Sequence, residues 1–402
     1  MFSMRRPAGV AVAMKSRHFD WLVVGAGFTG AVFAERMASQ AGHSVLVIDG
    51  RDSLGGNAHD VRHETGVFQH VHGPHLFHTN SNDVFSYLSN FTEWMPYEHR
   101  IRALVGGQLV PVPFNFTSIE ACFPASDAER IKRSMLDVFG PGANVPIMAL
   151  RRRRETELQT LADFVYEFVF LGYTLKQWGK LPEELLPSVT GRVPVRAGYD
   201  DRYFQDRFQG QPRDGYTRLF ERLLGHEGIE VRLNCRFEDL GNDVTYDRML
   251  YSGPVDLYFG HRFGRLPYRS LEFTFRRHEA PRAQPFAQVN YPGDEPFTRI
   301  TDFGHLSEGE RTATLIAVEY SEEHRLGVNE PYYPVPCAES DCLRAAYAEL
   351  AAACAPRVLF AGRLGEYRYV NMDQAVAQAL ALAKRAVGRG LRISTGGTGG
   401  AS

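Results

Sequence analysis

The sequence has 402 residues, of which 44% are hydrophobic and 23% charged, and its formal net charge at pH 7 is −2. This composition is typical of a globular protein of two or three domains, and the small net charge excludes recruitment of nucleic acid by a global basic field. No apolar run is long enough for a membrane-spanning helix. The five cysteines contain no C-x-x-C pair, which favours reduced thiols in a cytoplasmic protein over a disulfide framework.

The two ends of the chain lack the pattern of a packed domain. Residues 1–17 contain a weakly apolar stretch, Ala8–Met14, but no convincing signal-peptide cleavage site. We predict that residues 1–17 form a disordered extension. Residues 391–402, which are rich in glycine, serine and threonine, are predicted to form a flexible tail.

The most informative stretch lies just after this extension. An apolar strand, Trp21–Val24, is followed by a G-x-G-x-x-G motif and then by a helical pattern; the motif residues are Gly25, Gly27, Phe28, Thr29 and Gly30. The second predicted strand ends in Asp49, at the offset where a carboxylate binds a ribose hydroxyl. A glycine-rich turn of an ordinary α/β domain is the alternative. The strand, helix and acid around the motif favour a Rossmann-like dinucleotide site instead.

Two further segments extend this prediction. Gly55, Gly56 and Asn57 follow the second strand and let the backbone lie close to a ligand. Late in the chain another strand runs into Arg363, and a helix begins near Met372, Asp373 and Gln374. A second anion site of this kind is expected for FAD wedged between both ends of the chain, whereas NAD would not require it.

Six of the fourteen histidines lie between His59 and His78. The spacing of His72, His75 and His78 puts the three on no common strand face, and no cysteine is near them. We therefore predict no metal site here, although a metal centre is the alternative, and we expect these histidines to line a polar pocket beside the cofactor.

The pattern of predicted elements indicates an α/β fold. We expect a discontinuous Rossmann-like FAD-binding domain at residues 18–100, 205–255 and 340–390. An inserted helical domain at 101–204 ends in a proline-rich mobile loop, Leu181–Arg196, and short alternating strands predict an antiparallel-sheet domain at 256–339.

From about Phe19 to Val387 the chain resembles the bacterial UDP-galactopyranose mutases, a family of FAD-dependent isomerases. The resemblance rests on the order and spacing of the motifs GAGFTGAVFAER, GGNAHD, HGPHLFHTN, GYTLKQWG, GRVPVR, RYFQDRFQG, PFTRI, PYYPV and GRLGEYRYVNMDQ. It implies interconversion of UDP-galactopyranose and UDP-galactofuranose, in which N5 of reduced FAD attacks the anomeric carbon and expels UDP. It also implies a homodimer that supplies galactofuranose for cell-surface glycans.

The resemblance assigns roles to individual residues. It implies that Arg192, on the mobile loop, and Arg299 clamp the diphosphate, and that His75 lies near the flavin. The implied substrate-binding residues are Tyr173, Trp178, Tyr203, Asn290, Tyr320 and Tyr369. The chain departs from many members at His72 and His99, which could tune the choice of substrate.

Two other function classes remain open at this point. A flavin oxidoreductase related to amine oxidases would share both FAD segments, and a non-catalytic FAD or nucleotide-sugar binding protein would share the pocket. Neither requires two arginines flanked by tyrosines. The sequence leaves open the sugar, which could be N-acetylgalactosamine or another hexose, and the physiological reductant.

Overall fold

The computed structural model describes residues 17–354 and 357–390. The predicted extension 1–17 lies outside the described residues except for Arg17, which begins the first strand and is therefore not part of a disordered segment. The predicted tail 391–402 lies outside them as well. None of the described helices has the length and hydropathy needed to cross a membrane.

A five-stranded parallel sheet forms the centre of the Rossmann-like domain. Its strands, in spatial order, are Ile229–Arg232, Val45–Ile48, Arg17–Val24, Val244–Tyr251 and Val358–Phe360. Because side chains alternate along a strand, Trp21 and Val23 pack in one core with the helices Phe28–Ala41 and Met372–Gly390. Leu22 packs in a second core on the opposite face. This architecture confirms the predicted α/β class with a Rossmann-like domain.

Smaller elements complete this domain. The short strands Asp60–Arg62 and Phe68–His70 pair with each other, and Phe208–Pro212 pairs antiparallel with both Phe77–Thr79 and Trp94–Pro96. The remaining helical segments are Gly56–Ala58, Asn82–Leu88, Tyr216–Leu223, Phe237–Asp239, Val255–Tyr258, Ala338–Cys354 and Gly362–Gly365.

A seven-stranded, mostly antiparallel sheet forms a second domain. Its order is Tyr333–Pro334, Tyr268–His278, Thr314–Glu323, Arg299–Asp302, Gln288–Asn290, Ile101–Val105 and Gln108–Val112, and the helical turn Phe303–Leu306 follows the fourth of these strands. Every pair is antiparallel except Gln288–Asn290 with Ile101–Val105, which is parallel. Residues 101–112, which the sequence analysis places in the helical domain, therefore belong to this sheet.

The helical region begins at Phe116. Its helices are Phe116–Cys122, Ala125–Phe139, Ile147–Leu150, Thr156–Val165 and Gly172–Trp178, with short helical turns at Pro182–Glu184 and Pro187–Thr190 and a small strand pair, Asn144–Val145 with Val195–Arg196. A π-helical segment, Tyr166–Leu171, joins two of the helices into one rod. The helices bury their apolar residues against the strands 101–112, so these strands share one core with the helices while they pair with the sheet.

Candidate active site

A cavity of about 1180 Å³ runs along the carboxyl end of the parallel sheet. It is lined by ten of the thirteen residues predicted to bind the cofactor: Gly25, Gly27, Phe28, Thr29, Asp49, Gly55, Gly56, Asn57, Arg363 and Met372. This is the position at which open α/β sheets bind dinucleotides.

Two glycines of the glycine-rich turn, Gly25 and Gly30, leave no room for a larger residue. Gly25 has φ +105°, and a Cβ there would lie 2.1 Å from Ser252 Oγ. A Cβ at Gly30 would lie 1.9 Å from the carbonyl oxygen of Gly25, so Gly30 serves helix–strand packing and does not line the cavity. Gly27 differs, because a Cβ there would meet only Gly55 and Gly56, at 3.8 Å. The space beside Gly27 is open on the cavity side, as a pyrophosphate requires.

The helix Phe28–Ala41 begins at this turn without a capping side chain. Its first-turn N–H groups therefore stay available to an anion in the cavity. The residues present thus fit a dinucleotide whose pyrophosphate lies over Gly27.

Asp49 is fixed by the backbone around it. Its Oδ2 accepts a hydrogen bond of 2.8 Å from the Ala26 N–H, and its Oδ1 accepts one of 2.9 Å from the Arg51 N–H. Each carboxylate oxygen has a second lone pair, so Asp49 can still accept from a ribose hydroxyl. Arg51, which the sequence analysis missed, lines the same cavity and donates to Asn57 Oδ1 at 3.0 Å.

Two predicted cofactor residues shape the second helix instead of lining the cavity. Gln374 Oε1 accepts a hydrogen bond of 2.9 Å from the Asn371 N–H, and Asp373 Oδ2 accepts one of 3.1 Å from Thr79 Oγ1. One oxygen of each side chain thus helps to hold the start of the helix.

A second cavity, of about 260 Å³, lies where the seven-stranded sheet, the helical region and the Rossmann-like domain meet. Eight of the nine predicted catalytic and substrate-binding residues line it: His75, Tyr173, Trp178, Arg192, Tyr203, Asn290, Arg299 and Tyr369. His75, Trp178 and Arg363 line both cavities, so a cofactor in the large cavity would have its end at the small one.

Tyr320 is the exception, and its assignment to the substrate site is corrected here. Successive side chains of the strand Thr314–Glu323 point to opposite faces. Glu319 contacts Arg299 on the cavity face, whereas the Tyr320 ring packs edge-on against Phe297, with 6.1 Å between centroids, and does not line the cavity.

Tyr333, and not Tyr320, lines the small cavity. It lies in the PYYPV motif and stacks on Tyr369 with centroids 5.5 Å apart and planes at 13°. The Arg363 guanidinium lies 5.1 Å from the Tyr333 ring centroid and 4.8 Å from that of Tyr369. The motif pointed to this segment, but only the stacking identifies the residue.

Arg299 enters the cavity from the sheet as part of an ion pair. Its Nε lies 3.0 Å from Glu319 Oε1, and the Glu319 side chain is buried. Burial alone would lower the pKa of Arg299, but the charge of Glu319 raises it. Arg299 therefore presents a permanent positive charge to the cavity, held in place by a carboxylate behind it.

Arg192 enters from the opposite side, on the proline-rich loop. Its guanidinium carbon lies 3.7 Å from the Tyr369 ring centroid, and Nη2 donates a hydrogen bond of 3.0 Å to Asn371 Oδ1. Burial by itself would raise the pKa of the Tyr369 phenol, but the charges of Arg192, Arg363 and Arg299 lower it. The cavity is thus strongly electropositive, as a diphosphate site requires.

His75 lies at the junction of the cavities in one defined orientation. Its Nδ1 lies 2.8 Å from the Gly73 carbonyl oxygen, so Nδ1 carries the proton and donates, and its backbone N–H donates to His70 Nδ1 at 2.9 Å. Burial lowers the pKa of His75 to about 3, with smaller contributions from His70, Arg363 and Arg51. At neutral pH, His75 thus offers Nε2 as an acceptor only.

The other histidines of this segment form separate contacts. His72 Nδ1 lies 2.9 Å from Tyr332 Oη, and His78 Nδ1 lies 2.8 Å from Asp206 Oδ2. Within residues 17–354 and 357–390, no three potential ligands come together in a metal-binding group. His78 and the buried His99, which the resemblance puts near the pocket, line the small cavity.

Two family models match separate parts of the chain, and curated proteins match about 90% of it. A model described as UDP-galactopyranose mutase matches residues 168–369, and one described as an NAD(P)-binding Rossmann-like domain matches residues 23–91. The chain is 38% identical to a probable UDP-galactopyranose mutase of Klebsiella pneumoniae, over 89% of this chain and 92% of that protein. It is 34% identical to a dTDP-fucopyranose mutase of Escherichia coli, over 90% of this chain and 97% of that protein.

Solved structures share the fold at low identity. A crystal structure of reduced UDP-galactopyranose mutase superposes with a TM-score of 0.70 and 16% identity, over 92% of this chain and 94% of that one. A putrescine oxidase superposes with a TM-score of 0.61 and 14% identity, over 92% of this chain and 99% of that one. At these identities the likeness concerns the fold alone.

Proposed function

This chain belongs to the UDP-galactopyranose mutase family of isomerases, and we propose that it interconverts UDP-galactopyranose and UDP-galactofuranose with FAD as its bound cofactor. The observation that carries the proposal is that Arg192 and Arg299 line one cavity with the stacked Tyr333 and Tyr369, beside the end of the nucleotide cleft. An amine oxidase relative would have no use for this cationic pocket.

The glycine-rich turn and the late Gly362–Asn371 segment would hold the two ends of FAD. Gly27 would admit the pyrophosphate, Asp49 would accept from the ribose, and Arg363 would lie between cofactor and substrate. When bound and reduced, FAD supplies a nucleophilic N5 for attack on the anomeric carbon. The chain's own task is then to hold the nucleotide sugar and the UDP that leaves and returns.

Arg192 and Arg299 would carry out that task. Departure of UDP from the anomeric carbon places new negative charge on the diphosphate. Two guanidiniums aimed at this charge stabilise the transition state more than the ground state, because the negative charge on the diphosphate grows as the bond breaks, and a partly dry cavity strengthens that attraction. Stacked Tyr333 and Tyr369 would exclude water beside them and add phenolic donors.

His75 would act as a neutral acceptor at the junction. Its donor to Gly73 sets the tautomer, so Nε2 can accept a hydrogen bond but cannot donate one at neutral pH. We propose that His75 orients groups at the end of the cofactor and does not donate a proton.

The decisive experiment uses the purified flavoprotein under anaerobic conditions. After reduction with dithionite, UDP-galactofuranose is added, the products are separated by anion exchange, and the visible spectrum is followed. We expect UDP-galactopyranose to form while the flavin stays reduced, and the oxidised protein to be inactive. Stoichiometric consumption of NAD(P)H or oxygen, or turnover by the oxidised protein, would support an oxidoreductase instead.

A second candidate substrate follows from one relative. The E. coli protein at 34% identity is a dTDP-fucopyranose mutase, so this fold also accommodates a deoxyribonucleotide and a 6-deoxy sugar. The same assay with dTDP-fucofuranose decides between the two. A higher kcat/KM for dTDP-fucose would reassign the substrate but keep the reaction class.

Three further expectations belong to this proposal. They are a homodimer, a cytoplasmic location and use of the product in cell-surface glycans. Size-exclusion chromatography with light scattering tests the first.

A further inference from the structure

Lys176 makes an unusual set of contacts next to the substrate cavity. Its Nζ, which carries three N–H donors, lies within hydrogen-bonding distance of four carbonyl oxygens, those of Tyr291, Gly293 at 2.9 Å, Glu295 at 3.0 Å and Phe297 at 3.2 Å. The acceptors are alternate residues of one loop, and a single ammonium group lies where their carbonyl dipoles converge. The side chain is only half-buried, yet it does not line either cavity.

The loop that Lys176 holds joins two strands of the active site. Asn290 ends one strand, Arg299 begins the next, and the two residues are directly paired across the strands. Both line the substrate cavity. The position of the loop therefore bears directly on the position of Arg299.

The helix that carries Lys176 bears the facing wall of the cavity. Tyr173, Thr174, Gln177 and Trp178, all on the helix Gly172–Trp178, line it. At the start of this helix a Cβ on Gly172 would lie 2.1 Å from the Pro292 carbonyl oxygen, so helix and loop are in direct contact. At its end, Arg269 donates to the Gln177 carbonyl oxygen at 3.0 Å and to that of Lys176 at 3.1 Å.

The opposite wall is attached differently. On the described loop 187–194, Arg192 reaches the FAD-binding domain through one hydrogen bond and one aromatic contact. One wall of the cavity is thus held by converging charge–dipole contacts, whereas on the other wall Arg192 is the side chain that reaches across to the FAD-binding domain.

From this geometry we propose that Lys176 is a positioning residue, which fastens the loop 291–298 to the helix Gly172–Trp178 and thereby holds Arg299 and Asn290 in register with Tyr173 and Trp178. Four carbonyl oxygens that point at one site repel one another when no cation lies between them. Without the ammonium group the loop must relax, and the diphosphate contact of Arg299 becomes less exact. This role rests on the proposed function, because it concerns the same diphosphate site.

The first test compares Lys176→Met with Lys384→Met, an exposed lysine on the C-terminal helix. For Lys176→Met we expect a UDP dissociation constant at least tenfold higher, a kcat/KM at least thirtyfold lower, and unchanged FAD content. Hydrogen exchange of residues 291–298 should become faster. For Lys384→Met all four quantities should match the wild type. A Lys176→Met protein with wild-type UDP affinity and loop exchange overturns the proposal.

The second test asks whether the ammonium group itself is required. In Lys176→Ala, propylammonium chloride should restore at least a third of the lost UDP affinity, because it can place three N–H donors among the carbonyls. Tetramethylammonium chloride, which has no N–H donor, is the matched control. Equal effects of the two salts, or no effect of either, overturn the proposal.

A measurement on the wild-type flavoprotein stays decisive if both variants fail to fold. Before UDP is added, amides of residues 291–298 should exchange at least tenfold more slowly than those of residues 188–194. Equal exchange in both segments would overturn the proposal. Exchange and UDP affinity do not depend on turnover, so an inactive wild-type protein would count against the proposed function and leave this test intact.

Discussion

The Arg192 guanidinium carbon lies 3.7 Å from the centroid of the Tyr369 ring. This contact joins a loop of the helical region to the segment that precedes the C-terminal helix, Met372–Gly390, of the Rossmann-like domain. Arg299 reaches the same cavity from a sheet strand, against the buried Glu319. The two cations thus have different mechanical roles, and their substitutions should differ in more than rate.

Arg192→Ala should lower turnover by about 10²–10³, or about 2.7–4 kcal/mol, because it removes one donor aimed at transition-state charge. Lysine should restore only part of the rate, since it supplies charge without the planar fork. FAD content should not change. The variant should also lose the UDP-induced protection of residues 181–196 from proteolysis. Near-normal kcat/KM in the alanine variant would exclude Arg192 as a diphosphate clamp.

Arg299→Met should lose a similar factor in rate and, in addition, stability. Removing Arg299 leaves Glu319 buried without its partner, which typically costs about 3–5 kcal/mol. The double variant Arg299→Met with Glu319→Gln should recover much of the unfolding free energy in urea titrations but none of the activity. Recovery of activity in the double variant would contradict a direct role of Arg299.

Tyr333→Phe and Tyr320→Phe form a matched pair that tests the correction made above. Loss of the Tyr333 hydroxyl should weaken UDP binding about tenfold, close to the roughly 1.5 kcal/mol expected of one hydrogen bond. Tyr320→Phe should leave the UDP dissociation constant within about twofold, in keeping with the small effect of most changes away from a site. Calorimetric titration of both proteins measures this, and the reverse order would restore the original assignment of Tyr320.

Gly27→Ala should weaken FAD binding without unfolding the protein. The φ of Gly27 is −81°, and an added Cβ would meet protein atoms only at 3.8 Å, so the apoprotein tolerates it. The methyl group would occupy the space into which the pyrophosphate must come. Retained flavin after purification, measured by absorbance, should fall well below that of the wild type. Gly388→Ala, on the exposed face of the C-terminal helix, serves as the control.

Acid pH should destabilise the protein through its neutral histidines. Burial lowers the pKa of His70, His72 and His99 to about 3, as it does for His75. Between pH 6.5 and 3 the unfolded chain therefore binds more protons than the folded one, and the unfolding free energy falls as pH falls. Each histidine contributes a slope of up to about 1.4 kcal/mol per pH unit.

His99→Asn is the variant that isolates one of these contributions. Urea titrations at pH 7.5, 6.0 and 5.0 should show a smaller loss of stability on acidification than in the wild type. The variant His226→Gln, at an exposed position, should keep the wild-type slope. Identical slopes in all three proteins would mean that folding does not lower the pKa of His99.

The sequence alone determined the nucleotide cleft and the family. The turn Gly25–Gly30, the acid Asp49 and the helix start at Met372 are local features, in which each residue's role follows from its immediate neighbours in the chain. Such patterns can be recognised without knowledge of the rest of the fold. The two arginines were assigned differently, through the resemblance of their motifs to those of the family, and the structure brings both to one cavity.

Tertiary structure decided which side chains share the substrate cavity. Tyr320 and Tyr333 are equally plausible from sequence, but strand alternation turns Tyr320 away, and stacking on Tyr369 brings Tyr333 in. The strands 101–112 bury one face in the helical core while their backbone pairs with the sheet. The hydrophobic pattern of these strands predicts that they pack against the helical core. It does not predict which strands they pair with, because backbone hydrogen bonds are the same for every residue type.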